Sequence, residues 1–247
     1  MKSRQEIKKQ AKELVAENNL WITMGLPYLI ISAIDTLSYF GDRASGLSSA
    51  LGILQVVYQL CVSLYLFDIV TGHKAKSKTM QEQFSNIFKG LTAQSFKASL
   101  LVTLLTCLWF FLPYAIGLGL IISSVITGEV GLLFVLGFGL VVAGITIAIV
   151  KGYSYSLAIY LAKEHEDRKL FELVKDSVNR MKGYKSKLFV FNLSFIGWGI
   201  GIALTGGLLG FYALPYMLAA NTIFATEVMN ANQPTDKDKS EKELEVF

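Results

Sequence analysis

The sequence predicts an all-α fold: a polytopic membrane helical bundle of six transmembrane helices, with amphipathic helices at the cytoplasmic interface. Composition, charge placement and run length carry that prediction. Hydrophobic residues make up 53% of the chain and charged residues only 17%, whereas a soluble domain carries about a quarter charged. The charges crowd into a few segments and leave long gaps between them. Several gaps reach the ~20 apolar residues that a helix needs to cross hydrocarbon. A bilayer core offers the backbone no solvent to hydrogen-bond, so such a gap is expected to be helical.

The first gap is Leu20–Phe40, interrupted only by Asp35, and the second is Ala50–Val70, which meets no charge until Asp68. An uncharged stretch between Lys97 and Glu129 is long enough for a tilted third span. The fourth runs from Val130 to Val150 and ends at Lys151, with apolar character resuming through Tyr153–Ala162. The last, Phe189–Thr226, is too long for one helix and right for two. Gly206 and Gly207 near its middle supply the freedom a tight hairpin needs.

Lysines and arginines in the connecting segments set the orientation. Lys2, Arg4, Lys8, Lys9 and Lys12 precede the first span. Lys74, Lys76, Lys78, Lys89 and Lys97 separate the second from the third. A third group, from Lys163 to Lys187, separates the fourth from the fifth, while the opposite side carries only Arg43. Both termini are therefore expected in the cytoplasm of a multi-pass protein of the cell membrane. The formal net charge of +4 reflects this orientation and gives no reason to expect nucleic-acid binding. No cleavable signal peptide is expected, because a polar amphipathic stretch precedes the first apolar run.

Each basic segment also carries a helical apolar face: Ile7, Ala11, Leu14 and Val15; Met80, Phe84, Ile87, Phe88 and Leu91; Leu170, Phe171, Val174, Val178 and Met181. These read as interfacial helices that either anchor the bundle or offer a docking surface for lipid or a partner. Residues 1–230 thus form one transmembrane domain of three helix-hairpin units, 1–72, 73–163 and 164–230. A polar cytoplasmic tail follows over 231–247, with a breaker at Pro234. Leu-Pro-Tyr occurs three times, placing Pro27, Pro113 and Pro215 inside spans as candidate kinks. Glycine pairs at four-residue spacing, Gly197/Gly201 and Gly206/Gly210, suit close helix packing.

The inventory for chemistry is short. Cys61 and Cys107 lie far apart in apolar stretches and read as small hydrophobes. Neither a disulfide nor a metal site is expected. His165 in Glu164-His165-Glu166-Asp167 lacks the two-histidine spacing of a zinc helix, and His73 stands alone. No cofactor fingerprint is present. What remains are polar residues within the spans, which are costly there and mark function by default. Asp35, Gln55, Gln59, Asp68, Lys151 and Asn192 are the candidate intramembrane polar site. Asp68 and Lys151, at comparable depth, either pair or reach the interface separately. Gln55, Gln59, Asn192 and Asn221 could equally cross-link the bundle by hydrogen bonds.

The C-terminal third contains Tyr153-Ser-Tyr155, Tyr160-Leu-Ala162, Ser177, Met181-Lys-Gly183-Tyr-Lys185, Leu193-Ser194-Phe195-Ile-Gly197-Trp198 and Pro215-Tyr216. In these runs the chain resembles the DUF975 family of bacterial, mainly Gram-positive, integral membrane proteins. The resemblance implies a multispanning helical protein and carries no assigned activity. A non-enzymatic role through a protein partner, such as an accessory subunit or an immunity or resistance factor, is the leading expectation. The alternative is a small-molecule or lipid transporter working through Asp35, Asp68 and Lys151. Besides the bilayer itself, a membrane or cytoplasmic protein is the partner expected.

Overall fold

The computed structural model describes residues 1–39, 44–73, 79–128 and 131–231. Phe40, Arg43, Lys74, Lys76, Lys78, Glu129, Val130, Pro234 and the tail from residue 232 lie outside the described residues. Within them the chain is helical, with no strand: α1 Arg4–Ala16, α2 Leu20–Tyr39, α3 Ala44–Val70, α4 Met80–Lys89, α5 Ala93–Thr127, α6 Leu132–Tyr155, α7 Ala158–Glu164, α8 Leu170–Arg180, α9 Lys185–Leu193, α10 Ile196–Leu204 and α11 Gly210–Ala231. Among the described residues, four segments are long and apolar enough to cross a membrane, Ser48–Val70, Ala93–Thr127, Leu132–Glu164 and Lys185–Leu204, and Leu20–Asp35 is a shorter apolar helix.

Local sequence explains the ends of several elements. Ser3 and Glu6 form a reciprocal capping box at the start of α1, satisfying two of its orphan amides. Thr79 and Thr92 cap α4 and α5 with their hydroxyls. Gly128 closes α5 in the left-handed region at φ 71°, where glycine carries no Cβ penalty.

The chain forms two compact units. The first, Met1–Leu91 with Val190–Phe247, therefore holds both the first and the last helix hairpins. Its burial changes sharply along each long helix. On α3, Ile53, Leu54 and Val56 are exposed, while Cys61 to Phe67 are almost wholly buried apart from Ser63. On α11 the buried run is Ala219 to Met229, broken only by partly buried Asn221 and Glu227. Helix α1 lays Ile7, Ala11, Leu14 and Val15 into this core, packing mainly on α11. Its apolar face is the one expected, and it anchors.

The second unit, Thr92–Phe189, is built on the α5–α6 hairpin, the most extensive helix pair in the protein. Small residues make that contact close. A Cβ on Gly137 would lie 2.6 Å from the Gly117 carbonyl oxygen, and one on Gly117 would lie 2.6 Å from that of Gly137. Backbones meeting in this way gain dispersion contact that apolar lipid does not offset. Helices α7 and α8 close the lower end of the hairpin, where Tyr155, Ala158 and Val174 are buried against Leu101, Val102, Leu105 and Val178.

Two amphipathic faces differ from the expected ones. Helix α4 buries Gln83 and Ile87 and leaves Met80, Phe84 and Phe88 exposed. Helix α8 buries Leu173, Val174 and Ser177, followed by Met181, and leaves Phe171 71% exposed. In both cases a polar side chain takes a place in the buried seam because a neighbouring helix needs its hydrogen bond.

Candidate functional site

Pro27 lies inside α2 and lacks the N–H that would bond the carbonyl four residues earlier, that of Thr23. Buried Tyr58 of α3 replaces it. The Tyr58 hydroxyl lies 3.0 Å from the Thr23 carbonyl and 3.2 Å from that of Met24. The Thr23 hydroxyl in turn donates to Gln83 Oε1 on α4, with both side chains buried. Proline, tyrosine, threonine and glutamine thus tie α2, α3 and α4 together. Beside this junction lies a groove of about 510 Å³ lined mainly by Leu26, Pro27, Met80 and Phe84, together with Thr23, Gln81 and Ser85. Its walls are apolar and its support is a satisfied polar network, the combination that suits an apolar ligand.

Two other helix breaks are closed by side chains. Between α6 and α7, the Ser177 hydroxyl donates to the Ser154 carbonyl (2.8 Å) and accepts the Leu157 N–H (3.2 Å). Ser95 of α5 donates to the Ile159 carbonyl at 3.2 Å. Between α9 and α10, Lys8 donates to the Ser194 carbonyl at 3.2 Å, and its ammonium lies 4.5 Å from the centre of the Phe195 ring. Burial pushes the Lys8 amine below the ordinary lysine range, with Arg4 adding to the shift.

Pro113 fits a notch at Gly144, where a Cβ would meet the proline Cβ at 3.2 Å. Pro215 frees the Phe211 carbonyl, which sits against Gly25 of α2. Trp21 meets the Phe211 ring edge-on.

The candidate polar residues do not gather at one point. Asp35 accepts a hydrogen bond from Ser48, at the other end of α3 from Asp68. Twenty residues separate Ser48 from Asp68, about 30 Å at 1.5 Å per residue. Gln55 and Gln59 are half-buried between them. Asp68 is 4% exposed in the first unit. Lys151 belongs to the second, with its ammonium 4.3 Å from the Trp109 ring centre. Asn192 is half-buried beside the α9–α10 break and its carbonyl accepts the Phe195 N–H. Asn221 bonds the Met217 carbonyl of its own helix.

A cavity of about 320 Å³ lies where α1 meets the ends of α3 and α11, with Lys2, Glu13, Glu17, Glu227 and Asn230 on its polar side and Leu14, Ile69, Val70 and Ile223 on its apolar side. Lys2 and Glu227 form an ion pair there at 2.9 Å. Burial alone would raise the Glu227 carboxyl, but the Lys2 side chain and amide outweigh it and hold it below the ordinary carboxylate range. Among the described residues no cluster of three or more His, Cys, Asp or Glu is placed to hold a metal ion.

Tyr58, Ser177 and Lys8 were not singled out from the sequence as partners of helix breaks. A proline in a span does signal a freed carbonyl four residues back, but the donor comes from elsewhere in the chain. The model of the DUF975 family, described as a protein of unknown function, matches residues 1–232, and the chain belongs to that family. No curated protein and no solved structure matches it.

Proposed function

We propose that this chain is a non-enzymatic, lipid-binding protein of the bacterial cell membrane, with both termini in the cytoplasm, that holds acyl chains in the groove beside Pro27. The carrying observation is the groove itself, apolar on its walls and flanked by the exposed Met80, Phe84 and Phe88 of amphipathic α4. A helix presenting such residues beside a bilayer lays them into the boundary between headgroups and acyl chains. The basic segments support the orientation, since α4 ends on Lys89 and Lys97 lies near the start of α5. Absence of a catalytic motif in the sequence favours binding over chemistry. The ~30 Å of helix between Asp68 and Ser48, the partner of Asp35, weighs against one charged transport site built from both carboxylates.

Native mass spectrometry of the protein released from its own membrane tests this reading. Retained lipid is expected, falling in a Phe84→Gln, Met80→Gln double variant that keeps its helical content. Equal lipid retention by the variant would refute the groove. A protein partner remains the second reading, favoured by Phe171, which is 71% exposed on amphipathic α8. A second polypeptide at fixed stoichiometry in the same spectrum would support it.

A further inference from the structure

Lys185–Leu204 as a whole is long and apolar enough to cross, but the Lys8 ammonium at the Ser194 carbonyl divides it. Helix α10 beyond that point has nine residues, about 14 Å of rise, less than half of a ~30 Å hydrocarbon core. It begins just after the Ser194 carbonyl that Lys8 binds, so an ammonium from basic α1 marks its lower end. Its upper end turns at Gly206 and Gly207, both in the left-handed region at φ 60° and 93°, and returns as α11.

Helix α2 provides a second ruler. Gly207 packs at Ser32, where its Cβ would lie 3.1 Å from the hydroxyl, and Gly210 packs on the Tyr28 ring. Ser32 is about 18 Å along α2 from Leu20, and Tyr39 lies about 10 Å beyond. The turn therefore stops well short of the end of α2.

The tip is also built for a solvent that cannot hydrogen-bond. Every N–H from Thr205 to Tyr212 finds an acceptor within the hairpin: Gly207 on the Ile202 carbonyl at 2.8 Å, Leu209 on the Thr205 hydroxyl at 3.0 Å, the others on nearby carbonyls. The Thr205 hydroxyl donates to the Gly201 carbonyl at 2.8 Å. Its most exposed side chains are leucines, Leu204 at 82% and Leu208 at 66%. No charge occurs between Lys187 and Glu227. A loop in water needs none of this closure, whereas hydrocarbon demands it.

We propose that α10 and α11 form a re-entrant hairpin that enters from the cytoplasmic face, rests Leu204 and Leu208 among lipid acyl chains inside the bilayer, and does not cross. The two crossings expected within Phe189–Thr226 are then replaced by one hairpin, and both termini stay on the same side. The proposal rests on the chain being a membrane protein but not on the Pro27 groove, whose variants leave it untouched.

Cysteine labelling tests it in the full chain. Exposed Cys107 is first replaced by Ser; Cys61 is buried and stays. Leu204→Cys and Leu208→Cys are then challenged with a membrane-impermeant maleimide, on intact cells and on inside-out vesicles. Arg43→Cys serves as the outside control and Lys187→Cys as the inside control. Neither tip cysteine is expected to label from either side, and both should label once detergent replaces the bilayer. Labelling in intact cells would show a crossing, and labelling in inside-out vesicles a tip in cytoplasmic water; either overturns the proposal. A nitroxide attached at Leu208→Cys in detergent and returned to liposomes reports depth independently. More collision with oxygen than with a water-soluble nickel chelate is expected, and the reverse overturns it.

Discussion

Pro27 leaves the Thr23 carbonyl without its helical donor, and Tyr58 supplies one from α3. Tyr58→Phe removes only that hydroxyl. A buried acceptor left unsatisfied costs about 1–3 kcal/mol, while hydrogen bonds between membrane helices average nearer ~0.6 and reach ~1.7 kcal/mol. One hydroxyl proton is shared between carbonyls at 3.0 and 3.2 Å, which favours the lower part of the first range. The expected loss is ~1–1.5 kcal/mol. Pro27→Ala restores the backbone N–H, so Thr23 regains its own partner and the hydroxyl loses its purpose. In that background Tyr58→Phe should cost less than ~0.5 kcal/mol. Reversible unfolding in mixed micelles, followed by tryptophan fluorescence, measures all four corners of the cycle. If Tyr58→Phe costs the same with alanine at position 27, the hydroxyl is not replacing the lost amide and the reasoning fails.

Ser177→Ala should cost ~1–3 kcal/mol, since it strands the Leu157 amide and the Ser154 carbonyl together; Ser177→Thr should recover part of the loss, and unchanged hydrogen exchange at Leu157 would contradict the bond. Gly137→Ala drives a Cβ to 2.6 Å from the Gly117 carbonyl and should destabilise the α5–α6 hairpin by ~1–3 kcal/mol. Gly119→Ala, with nothing within 4 Å, should be neutral or slightly stabilising in the same thermal melt. Glu227 titrates below its unfolded value, so its contribution is complete above the unfolded pKa and fades as pH falls through the folded one. Wild type should therefore lose roughly 0.5–1 kcal/mol on acidification below the usual carboxylate range, and Glu227→Gln should not; parallel pH profiles would rule the pair out as a source of stability.

The long apolar runs and the apolar face of α1 were legible because each is a local pattern: Ile7, Ala11, Leu14 and Val15 repeat at helical spacing, and all four are buried. The Gly206–Gly207 turn was legible for the same reason, since only glycine accepts both φ values without strain. The breaks at Ser156–Leu157 and Ser194–Phe195 were not. No proline or glycine marks them, and the side chains that close them, Ser177 and Lys8, lie 23 and 186 residues from the carbonyls they bind. The rotated face of α4 was hidden similarly, because the demand for a buried Gln83 arises at Thr23 on another helix. Of the polar candidates, Asp35 accepts from Ser48 on the next helix, whereas Asn221 bonds the Met217 carbonyl within its own helix. Their convergence on one site was beyond reach, because depth along a span says nothing about azimuth around it.

Helix breaks in membrane proteins usually signal function, since transporters gather ligand-coordinating backbone at such points. A coordinating break must leave its carbonyls and amides open to the ligand. At four breaks the groups are already taken: Thr23 by Tyr58, Ser154 and Leu157 by Ser177, Ser194 by Lys8, and Leu209 by Thr205. Three of the four closures join segments distant in sequence, so opening a break to admit a substrate would also separate helices. Such breaks set the angles at which helices meet and then hold them. What they hold in the first unit is apolar surface: the groove at Pro27 and the leucines of the α10–α11 turn. On the proposed lipid-binding reading, a framework of that kind presents a fixed face to lipid.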